Sequence, residues 1–178
     1  VDRVESAYHL SYPDLSLGNV ILFDVWHHLE FPGAALAEFR RVLRPTGRLI
    51  LFEPAAGSVL GRLVYGLFHP EPVNPPGPLD WSESPAFRPP EQAYYSAQGN
   101  CWRIFATGKL PAEIARTGAW RLAEVRLMSA VSYALSGGFS RPQLYPRRAY
   151  PLMRRVDRWL DSVPRFSATR MRVVLERR

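Results

Sequence analysis

From Val20 to Phe23 the chain is apolar without a break, β-branched and aromatic, the pattern of a parallel strand buried on both faces. At Pro32 the period changes. Ala35, Leu36, Phe39, Val42 and Leu43 recur at helical spacing, with Arg40, Arg41 and Arg44 between them. Pro45-Thr46-Gly47 predicts a helix stop, because proline cannot continue a helix and glycine tolerates positive φ. Arg48–Glu53 then predicts a second strand, which closes one βαβ unit, right-handed by default.

Two further stripes follow. Val59, Leu60, Leu63, Val64, Leu67 and Phe68 predict an apolar helix just after the second strand. Leu152, Met153, Val156, Trp159, Leu160 and Val163 predict another, with Arg154, Arg155 and Arg158 off the stripe. Between them, the eight prolines from Pro70 to Pro90 exclude regular helix and central strand. Tyr94, Tyr95, Trp102 and Phe105 come next. This segment leaves the carboxyl end of a strand, where open α/β sheets place their ligands. It reads either as a substrate cover or as a proline-stiffened surface loop.

At 178 residues the chain predicts one domain with room for a core, and five tryptophans with eight tyrosines argue against disorder. Cys101, the single cysteine, cannot form an internal disulfide, so a cytoplasmic setting is expected. No apolar run approaches the roughly 18–20 residues that span a bilayer. Charge changes the picture most at the C-terminus. Arg141–Arg178 holds eleven arginines against Asp157, Asp161 and Glu176, so this stretch carries more than the whole chain's net +7. Three readings compete there: an amphipathic helix packed on the sheet with a solvated arginine face, a peripheral membrane-surface helix, or a site for an anionic ligand. No nucleic-acid-binding motif is present, and no nucleic-acid partner is expected.

His27-His28-Leu29 through the turn Arg41-Val42-Leu43-Arg44-Pro45-Thr46-Gly47 to Arg48–Pro54 resembles the later half of class I S-adenosylmethionine-dependent methyltransferases (methyltransferase type 11-like). Thr46 stands where that turn has its first glycine. More weakly, Leu110–Arg126 resembles the family's short helix, turn and sixth strand, with Gly118 as helix stop, and Arg172–Glu176 its final antiparallel strand. The resemblance implies an α/β, Rossmann-like fold, mostly parallel with a C-terminal antiparallel strand. It implies one domain over residues 1–178, with 57–109 and 136–166 as helical and proline-rich insertions or covers. No GxGxG loop follows an opening strand, so the expectation is a methyltransferase truncated before that loop. The Asn19–Phe23 strand should then be an exposed sheet edge.

The resemblance also assigns candidate residues. Ser6, Ala7 and Tyr8 occupy the place beside the cofactor's adenine. Phe23, Asp24 and Val25 match the strand end near its methionine part, where Asp24 would meet the ammonium or, alternatively, cap the following helix. Glu53 would face the acceptor, as would Tyr94 and Tyr95 where the insertion serves as a substrate cover. His28 would act as general base, contact the substrate or serve as a hydrogen-bonded structural histidine. The implied cofactor is S-adenosyl-L-methionine, and the implied acceptor a small or amphiphilic, lipid- or sugar-linked molecule. His27 and His28, adjacent and about 100° apart on a helix, do not form a metal site. A non-catalytic module using the sheet edge and the basic helix is the rival reading.

Overall fold

The computed structural model describes residues 3–68, 77, 79–84, 95–137 and 142–178. Strand β1 (Leu17–Phe23) and strand β2 (Leu43–Pro54) pair in parallel, with Val20 opposite Leu49 and Phe23 opposite Phe52. Helix α1 (Pro32–Val42) joins them, and Ala35, Leu36 and Phe39 on its apolar face enter the core. The βαβ unit predicted from periodicity is therefore present.

The described sheet has the order β1-β2-β4-β3, where β3 is Trp120–Met128 and β4 is Arg170–Arg177. Strand β4 is antiparallel to both neighbours, so β1, β2 and β3 run one way and β4 alone runs back. This is the expected α/β sheet with a C-terminal antiparallel strand. Alternate residues Leu49 and Leu51 of β2 and Met171, Val173 and Leu175 of β4 are fully buried. They share one core cluster with Trp26, Phe39, Phe105, Ile114 and Trp120. β1 lies at an edge of this sheet, with Ile21 61% and Phe23 47% exposed.

The helix stop falls earlier than the turn residues suggest. α1 ends at Val42, and Leu43 is already extended. Proline at 45 disfavours helical backbone at Arg44, so residues 44–47 run as the irregular opening of β2, where the register with β1 shifts. Positive φ falls on Thr46 (61°), not on Gly47. Gly47 is constrained for another reason: a Cβ there would stand 2.7 Å from the Arg44 carbonyl oxygen.

Downstream, helix α2 (Val59–Phe68) forms where its stripe predicted, but the stripe divides. Val64 and Tyr65 point inward while Val59, Leu63 and Leu67 are exposed. Helix α3 (Gly99–Phe105) packs on β2 and the turn after β1. Helix α4 (Ala112–Ala115) stops at Gly118 (φ 62°), as expected, and leads into β3. Helices α5 (Val131–Leu135), α6 (Tyr150–Leu160) and α7 (Pro164–Ser167) lie between β3 and β4. α6 rests chiefly on α5 rather than on the sheet. The cause is Asp157, buried on its inward face, which accepts hydrogen bonds from the Ser132 N–H and hydroxyl of α5. α2 touches both α5 and α7, and the Tyr65 hydroxyl donates to the Thr169 carbonyl (2.7 Å). Together these helices cap the carboxyl ends of β1, β2 and β3.

Candidate functional site at the carboxyl ends of the parallel strands

Glu53 organises the rim. It ends β2 fully buried, and a buried carboxylate requires partners. One oxygen accepts from the Val25 N–H (2.9 Å) and the Trp26 N–H (2.7 Å), and the other lies 2.6 Å from Nδ1 of His27. Glu53 thus caps the 3-10 turn Trp26–His28 that follows β1. Both Glu53 oxygens are engaged inside the protein, at the position where the resemblance implies an acceptor contact.

Asp24 is likewise engaged. Its backbone is left-handed (φ 57°), a conformation aspartate tolerates, and its N–H donates to the Phe52 carbonyl (3.0 Å). Its carboxylate grips Arg170 in a bidentate ion pair, with Nη2 2.8 Å from Oδ2. The Arg170 guanidinium lies between two rings, 5.0 Å from the centroid of Phe23 and 4.8 Å from that of Tyr133. Burial opposes charge on Arg170, but the hydrogen bond and charge of Asp24, with Tyr65 and Tyr133 nearby, together outweigh it and raise the guanidinium pKa. The N–H groups of the turn after β1 are capped by Glu53, and the Asp24 carboxylate pairs with Arg170 while its side chain stays 28% exposed.

His28, Tyr95 and Tyr8 form the second part of the rim. Nδ1 of His28 is 3.1 Å from the Tyr95 carbonyl oxygen, and its ring lies 4.0 Å from that of His27, centroid to centroid. The Tyr95 hydroxyl accepts from Asn100 (2.8 Å), and burial raises its pKa. Tyr8 packs edge-on against Phe31, and burial raises its phenol as well. The Ser6 hydroxyl accepts from the Tyr8 N–H (3.2 Å), and Ala7 is half-buried between them. Tyr94 lies outside the described residues, as does most of Pro70–Pro90. Among the described residues no group of three His, Cys, Asp or Glu side chains is placed to hold a metal. Cys101 is fully buried, and burial, with the charge of Glu53, pushes its thiol well above the usual range. That environment makes it a core residue rather than a nucleophile.

Arg170 and Tyr133 were not legible beforehand. Arg170 opens an apolar strand, and its partner lies 146 residues away, so no local spacing announces the pair.

The family model described as "Methyltransferase domain" matches residues 2–51. No curated protein matches. Among solved structures, the chain is similar to a methyltransferase from Methanosarcina mazei (14% identity, TM-score 0.43), covering 98% of this chain and 65% of that one. It is similar to one from Mesorhizobium loti (10%, 0.44), covering 97% and 67%. It is similar also to the MccD protein (13%, 0.42), covering 98% and 67%. The chain therefore spans about two thirds of the length of these structures, and at such distances the likeness carries no detail across. The family match is specific to one stretch: residues 2–51, with β1, α1 and most of β2, match the methyltransferase-domain family that Asn19–Pro54 resemble.

Proposed function

We propose that this chain supplies the acceptor-side rim of an S-adenosylmethionine-dependent methyltransferase acting on a small-molecule or lipid- or sugar-linked acceptor. One observation carries the reading: the stretch that matches the methyltransferase family, 2–51, is the stretch whose strand and turn build the rim beside Glu53. S-adenosylmethionine, when bound, supplies a methyl group already activated by its positive sulfur, so the protein chiefly aligns the acceptor and excludes water.

The described residues fit only one side of that cofactor. Phe23–Val25 offer backbone at the strand end and Tyr8 an aromatic wall, but the Asp24 carboxylate is held by Arg170. This chain alone should therefore bind the cofactor weakly. His28 is our candidate for acceptor chemistry. With its Nδ1–H donated to the Tyr95 carbonyl, the lone pair stands on Nε2, the tautomer that accepts a proton from an acceptor group. A base is needed only where the acceptor carries a proton of high pKa.

Ultraviolet crosslinking with methyl-labelled S-adenosylmethionine, followed by peptide mapping, tests the reading. Label concentrated on peptides containing Tyr8 or Phe23–His28 is expected. Label on the α6–α7 region alone, or none above a denatured control, contradicts it.

A further inference from the structure

The helical cap carries its own unassigned surface, and this inference stands apart from methyl transfer. On α6 the inward positions are Met153, Val156, Asp157 and Leu160, whereas Leu152 and Trp159 are 59% and 74% exposed. Seven residues apart, those two share one edge of the helix. Val163 and Phe166, in the turn and in α7, continue outward at 52% and 56% exposure. These are large apolar side chains held in water by ordered helices.

Charge beside them has one sign. Asp157 and Asp161 are the acids of residues 142–167, and both are drawn toward α5: Asp157 to Ser132, and Asp161 to the Ser129 N–H (2.6 Å). Arg147, Arg148, Arg154, Arg155, Arg158 and Arg165 are all exposed. Of these Arg154 reaches back to Asp157 (3.6 Å). On a helical projection Arg155 lies roughly 60° around from Leu152, so the cations flank the apolar edge instead of interrupting it.

We propose that the α6–α7 face docks on an anionic lipid bilayer surface. Leu152, Trp159, Val163 and Phe166 enter the acyl boundary, and the flanking arginines sit among headgroup phosphates. Charge complementarity selects this occupant. A second copy of the chain would bring arginine against arginine across a two-fold axis. A nucleic acid would satisfy the arginines but leave the apolar edge in water. No helix among the described residues is long and apolar enough to cross a membrane, so the contact is peripheral.

Flotation with vesicles of phosphatidylcholine containing about one third phosphatidylglycerol, against pure phosphatidylcholine, tests this with the whole chain. Binding to the anionic vesicles is expected to exceed neutral binding by roughly tenfold or more, and to fall in high salt. Arg155→Glu with Arg158→Glu should lower it by roughly tenfold. Leu152→Ser with Trp159→Ser should lower it by a similar factor. Both pairs are exposed, so circular dichroism should show an unchanged fold. Equal binding to both vesicle types, binding that survives the Leu152/Trp159 change, or a concentration-dependent dimer dissolved by these substitutions would each overturn the proposal.

Discussion

At the rim, Asp24 and Arg170 form an ion pair in which a buried guanidinium is matched by a carboxylate across the sheet. The Asp24 side chain is 28% exposed and that of Arg170 8%, so the pair is only partly screened by water. Asp24→Asn keeps a residue that tolerates left-handed backbone but leaves the arginine charge without its counterion. A loss of about 2–3 kcal/mol is expected in denaturant unfolding, somewhat below the cost of breaking a fully buried pair. An unchanged midpoint would mean that the Phe23 and Tyr133 rings suffice to hold the cation. Side-chain partnerships of this kind escape sequence reading for a physical reason. Asp24 looked available because its neighbours in sequence offer it no partner, and Glu53 looked outward-facing because it ends a strand. Folding brings a cation and an unsatisfied turn to each of them.

At the scale of elements, periodicity served well where one face meets one core. β1, α1 and β2 appear where the apolar runs placed them, and the strand after Gly118 does too. But β1 is covered on one face only: Leu22 is buried while Ile21 and Phe23 are exposed, so the expected burial on both faces is corrected. Periodicity served less well for the cap, whose helices are covered on narrow faces. α2 lies against α5 and α7, and Gly61 faces a tight spot beside α7. A Cβ there would collide with the Ala55 carbonyl oxygen, lie 2.7 Å from the Ser58 hydroxyl oxygen and stand 3.0 Å from the Ala168 carbonyl oxygen. The two carbonyl oxygens are backbone and cannot swing aside. Gly61→Ala should therefore cost about 1–3 kcal/mol despite alanine's better helix propensity, and thermal unfolding reads the sign. A stabilised variant would show that α2 stands off the Ala55 and Ala168 backbone. α6 carries the complementary lesson. Its apolar stripe predicted a buried face, yet an aspartate occupies the centre of that face, anchored by Ser132.

For the molecule as a whole, the N-terminal segment is tied to α1 by charge. Glu38 accepts from the Leu10 N–H (2.6 Å) and from Arg41, which also reaches the carbonyls of Leu10 and Tyr12 (both 2.9 Å). The hydrogen bond from Arg41 is the main cause of a Glu38 pKa below the ordinary carboxylate value. A carboxylate whose pKa is lowered on folding stabilises fully above its ordinary value, about 4.5, and loses that contribution as pH falls through the lowered one. Thermal stability should thus decline below about pH 4.5, and Glu38→Gln should make that decline shallower. Parallel slopes for the two proteins would remove Glu38 from the account.

The central claim is that the ends of β1 and β2 form one wall of a cofactor site. Its most direct test is residue-resolved amide NMR of this chain titrated with S-adenosylhomocysteine, the demethylated form of the cofactor. Shifts confined to Tyr8 and Phe23–His28, saturating only in the millimolar range, are the predicted result. Micromolar saturation, or shifts scattered away from that rim, would contradict it.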